Sequence, residues 1–89
     1  MYLYLGGDVV VKNEDIIGVF DIDTTTVSKA SRNYLNNSEK SGRLTYVSYE
    51  LPKSFVVCSK DNKETVYISQ ISSATLEKRA KSFLPKGDY

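Results

Sequence analysis

The 89-residue sequence predicts an α+β fold, a small single domain with an antiparallel or mixed sheet of about five to six strands and two helices. Short runs of aromatic and β-branched residues recur between Gly, Asn and Asp turn signals. Two other segments carry apolar residues at helical spacing behind hydroxyl residues that can cap a helix. The connections are short, which favours both helices on one side of the sheet.

Tyr2-Leu3-Tyr4-Leu5 reads as a strand that stops at the turn signal Gly6-Gly7, and Val9-Val10-Val11 as its hairpin partner. A polar turn, Lys12-Asn13-Glu14-Asp15, leads into a third strand at Ile16 to Ile22, too short for a helix and rich in sheet-favouring residues. Gly18 within it points to a bulge or a close backbone approach. Thr24-Thr25-Thr26 marks a helix start, because threonine hydroxyls cap free backbone N–H groups. Val27, Ala30, Tyr34 and Leu35 form the apolar face of that helix. Gly42, after Ser41, supplies the left-handed residue that closes it. Arg43 to Tyr49 alternates as a strand, and Glu50 to Ser54, with Pro52, is a connecting loop. Phe55 to Ser59 is a further strand whose continuous apolar run implies burial on both faces. Lys60-Asp61-Asn62-Lys63 turns the chain into the strand Thr65 to Ser69. Ser72-Ser73 caps a second helix with Leu76, Ala80, Phe83 and Leu84 on one face, and Pro85 to Tyr89 reads as a frayed tail.

Composition excludes several kinds of chemistry. With no histidine and one cysteine, Cys58, the chain has no intramolecular disulfide, no Cys/His zinc site and no Ser–His or Cys–His nucleophilic pair. No cofactor is expected. No apolar run approaches the roughly 20 residues that span a bilayer, and the opening residues lack the basic-then-apolar order of a signal peptide. A cytoplasmic domain is the expectation. A chain of this size buries only about 60–65% of its unfolded surface, so self-association is expected as a further source of stability.

The net charge of +1 conceals a polarity. Residues 1–24 hold one base against five acids, −4, whereas residues 25–89 hold eleven bases against six acids, +5. Gly6-Gly7 lacks the spacing and the lysine of a phosphate-cradling loop, and Cys58 in its apolar strand reads as inert packing. Asp21 and Asp23 lie two apart and point the same way on a strand. They could bind a divalent ion or act as an acid/base pair, or simply form a solvated strand end beside a helix start. No catalytic constellation emerges otherwise, and the chain is expected not to be an enzyme.

Lys29 and Arg32 stand three apart on the first helix, opposite its apolar face, with Asn33 and Asn36 beside them. Lys78, Arg79 and Lys81 group on the second helix, and Lys53 tips a loop. Such cations neutralise phosphates and release counterions, though they are equally the ordinary solvated faces of two helices. One subunit offers few contacts. A ring of subunits would repeat each weak patch around one surface.

The opening Tyr2 to Val11, the segment Asp15-Ile16-Ile17-Gly18-Val19-Phe20-Asp21, Leu51-Pro52-Lys53-Ser54-Phe55-Val56-Val57, and Val66-Tyr67-Ile68-Ser69 with Ile71 to Leu76 resemble the Rem regulators. The resemblance is strongest to the RemB-type extracellular matrix regulatory proteins of Gram-positive bacteria, and it runs over nearly the whole chain. None of these segments is a catalytic signature; their order and spacing carry the likeness. It implies a small cytoplasmic transcription regulator of biofilm matrix genes, acting as a ring-shaped homo-oligomer with double-stranded DNA held around its outside by repeated basic residues. RemA-type chains carry an adjacent arginine pair in the loop after the first helix. Aligned on Gly42 and Tyr49, that pair falls here on Leu51 and Pro52, leaving Lys53 as the nearby base. A basic pair in the RemA-type first helix falls on Arg32 and Asn33. The expected contacts to DNA phosphates are therefore Lys53, Arg32, Lys29 and Arg43, without reading of base edges. The alternative is an oligomeric interaction module, or a partner of a RemA-type paralogue, that binds protein and not DNA. Tyr46 and Tyr49 would serve it if exposed, since tyrosine is enriched at interfaces; both could equally pack within the sheet.

Overall fold

The structure is a computed structural model that describes residues 2–22 and 29–81; for residues 29–31 and 81 it describes the backbone alone. The element order is β1 (Tyr2–Gly6), β2 (Val9–Lys12), a 3-10 turn (Asn13–Asp15), β3 (Ile16–Asp21), α1 (Lys29–Lys40), β4 (Leu44–Tyr46), β5 (Ser54–Lys60), β6 (Lys63–Ser69) and α2 (Ser73–Lys81). β1 and β2 form an antiparallel pair, and the other four strands form a sheet in the order β3-β5-β6-β4. Its β3–β5 and β5–β6 pairs are antiparallel, while β4 runs parallel to β6. The fold is α+β, with a mixed sheet.

Local chemistry sets most of the boundaries. Asp61 and Asn62 both take positive φ, 52° and 65°, as the two-residue turn that matches strand twist requires. Helix α1 closes on Gly42 at φ 76°: the Gly42 N–H donates to the Glu39 carbonyl at 3.1 Å and the Arg43 N–H to the Ser38 carbonyl at 2.9 Å. Ser72 caps α2, its hydroxyl accepting the Thr75 N–H at 3.2 Å. Strand β3 carries a bulge between Ile16 and Gly18, opposite Cys58 and Val57. The bulge alternative expected at Gly18 is the one present; what approaches it closely is the Phe20 ring, 2.7 Å from where a Cβ would stand, and not another backbone.

The core lies in two layers, one on each face of the four-stranded sheet. Phe55 and Val57 of β5 pack with Val66 and Ile68 beneath Tyr34 and Leu35 of α1. The alternate residues Val56 and Cys58 pack with Leu3, Leu5, Val11, Val47 and Leu76 of α2. The two helices therefore cover opposite faces, which corrects the expectation of both on one side. Connection length alone does not choose a face; the apolar run Phe55 to Cys58, buried throughout, demands cover on both. β4 is also shorter than the expected Arg43 to Tyr49. Val47 keeps the strand's alternation, packing in the α2 layer and donating its N–H to the Ile68 carbonyl, but the ladder itself stops at Tyr46. The polar segment after β2 coils as a 3-10 turn. The Thr24–Thr26 helix start, Val27, Phe83, Leu84 and the tail Pro85–Tyr89 lie outside the described residues.

Two fully buried serines join the parts. The Ser69 hydroxyl donates to the Leu5 carbonyl at 2.6 Å and accepts the Ile71 N–H at 3.0 Å, tying β1 to the main sheet. The Ser54 hydroxyl donates to the Ile71 carbonyl at 2.7 Å, so neither buried polar group is left unpaired. No helix among the described residues is long and apolar enough to cross a membrane.

Candidate nucleic-acid interface

Helix α1 divides its residues between core and solvent as the spacing predicts. Tyr34, Leu35 and Ser38 turn inward, and the Ser38 hydroxyl donates back to the Tyr34 carbonyl at 2.9 Å. Arg32, Asn33, Asn36, Asn37 and Lys40 are exposed. Arg32 makes no ion pair among the described residues. Lys29 begins the described part of the helix, three residues before Arg32 and hence on a neighbouring stripe; its side chain lies outside the described residues.

Lys53 is exposed on a firmly held backbone. Its N–H donates to the Ser69 carbonyl and its carbonyl accepts the Ile22 N–H, both at 2.9 Å, fastening the loop to β6 and to the end of β3. The neighbouring Pro52 lines a cleft of about 210 Å³ with Asn36 and Glu39 of α1, so the loop bearing Lys53 runs alongside that helix. The structure thus brings Lys53 next to the helix of Arg32 and Lys29. Lys78 and Arg79 are exposed on α2, which lies on the other face of the sheet, and do not join this group.

Arg43 is placed differently. Its Nη1 pairs with Glu64 Oε2 at 2.6 Å, its Nε donates to the Ser41 hydroxyl at 2.7 Å, and its guanidinium lies 6.0 Å from the Tyr34 ring centroid. The Tyr34 hydroxyl donates to the same Glu64 oxygen at 2.6 Å. Burial, the hydrogen bond to Glu64 and the Glu64 charge together raise the Tyr34 hydroxyl above its ordinary pKa. Arg43 is therefore charge-compensated and fastens the end of α1 to β6. Nothing in the sequence marks Glu64 as its partner, 21 residues away.

The remaining candidates separate clearly. Tyr46 and Tyr49 are both exposed, as is Leu51 at 74%, so the alternative of packing within the sheet does not hold for either tyrosine. Asp21 ends β3 opposite Ser54, and Asp23 lies outside the described residues. Among the described residues no group of three or more His, Cys, Asp or Glu is placed to hold a metal ion. Cys58 is buried, and burial, with the Asp15 charge adding to it, pushes its thiol up to about 11. A thiol held protonated in this way is core packing rather than a nucleophile.

No protein-family model matches the chain. Among curated proteins, it is 35% identical over 80 residues to extracellular matrix regulatory protein B of Bacillus subtilis (strain 168), an alignment that covers 90% of each chain.

Proposed function

Since this chain belongs to the family of extracellular matrix regulatory protein B, we propose that it regulates transcription of extracellular matrix genes as a cytoplasmic, ring-like homo-oligomer that binds the backbone of double-stranded DNA. The observation that carries the nucleic-acid part is the exposed Arg32 on α1, with no ion pair among the described residues, and Lys53 on the fixed loop beside that helix. Lys29 adds a third cation on the same helix. Arg43, held by Glu64, contributes less than its formal charge. Each cation that meets a phosphate releases counterions and steepens the fall of affinity with salt. Three contacts from one subunit are weak, but a homo-oligomer presents them many times on one surface. Contacts of this kind to phosphates position the protein on the DNA and carry no base information by themselves.

Light scattering with and without duplex DNA, at low and high salt, tests assembly and binding together. The expected result is a mass several times the 10.0 kDa of one chain, a DNA complex at low salt, and its dissociation as salt rises. The double variant R32Q/K53Q should bind more weakly and with a shallower salt dependence. A complete lack of binding at low salt would sink the DNA reading.

The exposed Tyr46, Tyr49 and Leu51 favour a second reading, in which the oligomer docks another protein or a RemA-type paralogue through this surface. Co-purification of a partner, lost in Y46S/Y49S, without any gel shift on DNA would favour it.

A further inference from the structure

We propose that the cleft between the β1–β2 hairpin and the tip of the β5–β6 hairpin binds a mononucleotide, a phosphate joined to a flat base. The cleft lies on the α2 side of the sheet, opposite the α1 surface described above. Strand alternation builds it: Val56, Cys58 and Lys60 of β5 share this face, and their register partners Tyr67, Thr65 and Lys63 lie across from them on β6. Tyr2 of β1, Val10, Val11 and Lys12 of β2, Asp15 of the 3-10 turn and Asp61 of the hairpin turn add to the lining. The open cleft holds about 450 Å³, within the range of about 300–1,000 Å³ usual for small-molecule sites.

The charge balance leans towards an anion. Lys12, Lys60 and Lys63 line the cleft against the carboxylates of Asp15 and Asp61, and none of the three lysines makes an ion pair among the described residues. Lys60 and Lys63 stand directly opposite each other in the ladder, a like-charge pair that opposes formation of the hairpin they flank. An anion between them turns this repulsion into two charge-assisted contacts, which are the stronger kind. The rest of the lining suits a base. The rings of Tyr2 and Tyr67 offer stacking surfaces, and the Thr65 hydroxyl and Asp15 carboxylate offer polar partners for ring nitrogens and exocyclic groups. Burial, with Cys58 and Asp15 nearby, raises the Tyr67 hydroxyl, which keeps it protonated as a donor. The carboxylates of Asp15 and Asp61 in the same lining disfavour the further phosphates of a strand, so a single nucleotide is the expected occupant and a polymer is not.

Calorimetric titration of the full chain with each of the four ribonucleoside 5′-monophosphates, inorganic phosphate and a twelve-nucleotide single strand is the test. At least one monophosphate should saturate with a Kd below about 1 mM and tighter than inorganic phosphate. The variant K60Q/K63Q changes only exposed side chains at the hairpin tip, and a urea melt checks that it folds. It should bind that monophosphate about tenfold or more weakly, the scale of one lost charge-assisted contact. Absence of saturation, equal binding by K60Q/K63Q, or tighter binding of the single strand than of every monophosphate would each overturn the proposal.

Discussion

Arg43, Glu64 and Tyr34 show how a residue that reads as a surface cation becomes part of the fabric. One carboxylate oxygen of Glu64 receives both the guanidinium and the phenol hydroxyl, at 2.6 Å each. Both partners of the ion pair remain about one-third exposed, so solvent screens it. A double-mutant cycle of R43Q and E64Q should give a coupling of about 0.5–1 kcal/mol in urea unfolding, and R43Q should alter DNA affinity less than R32Q does. Cys58 makes a different residue-scale prediction. Its thiol is raised from an ordinary 9.0 to about 11 in the fold, so the neutral form is the stabilised one. The resulting stability is fully present below pH 9 and is lost as pH rises towards about 11. Tyr34 and Tyr67, also raised, add loss in the same sense above pH 10. The urea midpoint should fall across this interval, and fall less steeply in C58A. Iodoacetamide at pH 8 should leave the native thiol unmodified and label it once urea unfolds the chain.

Turns and strand pairs govern the element scale. Gly7 and Gly42 both take positive φ, 54° and 76°, yet substitution should affect them unequally. A Cβ on Gly7 would meet the Val47 carbonyl oxygen at 2.3 Å, a backbone atom that cannot move aside, whereas one on Gly42 would meet nothing within 4 Å. Gly42→Ala should therefore cost only the conformational strain, about 1–2 kcal/mol. Gly7→Ala should cost clearly more in a urea melt, because β1 and the loop after β4 must separate. The β5–β6 hairpin offers the opposite sign. Replacing Lys63 with Glu converts its pair with Lys60 from repulsive to attractive, and should stabilise the ligand-free protein by about 0.2–1 kcal/mol at low salt.

At the scale of the whole molecule, β5 joins two core layers that would otherwise be separate. Its odd residues Phe55 and Val57 serve the α1 layer, and its even residues Val56 and Cys58 serve the layer of α2 and the β1–β2 hairpin. Loss of either layer exposes one face of the same strand, so unfolding should be a single transition. Cys58 accessibility to a thiol reagent and the NMR signals of Tyr34 report on opposite faces, and both should change at one urea concentration. Two separated midpoints would show that α1 melts on its own. Outside these layers and the cleft, Tyr4 lies exposed on the β1–β2 hairpin, and Ile17 and Phe20 on the edge strand β3. Such apolar exposure on a small domain is what self-association would cover.

Local chemistry was legible in the order of residues. The Gly6-Gly7 and Asp61-Asn62 turns, the closure of α1 at Gly42, the cap at Ser72 and the bulge at Gly18 each follow from what one or two residues can do with their own backbone. The α+β class and the family resemblance also came from the sequence, through the order of such signals along the chain. Which face each helix covers, how early β4 stops, and that Arg43 is tied to Glu64 depended on partners far apart in the sequence, and periodicity carries no record of those. The same holds for the cleft of Lys12, Lys60 and Lys63. Three lysines from three strands have no common spacing, and only the pairing of the strands puts their charges in one place.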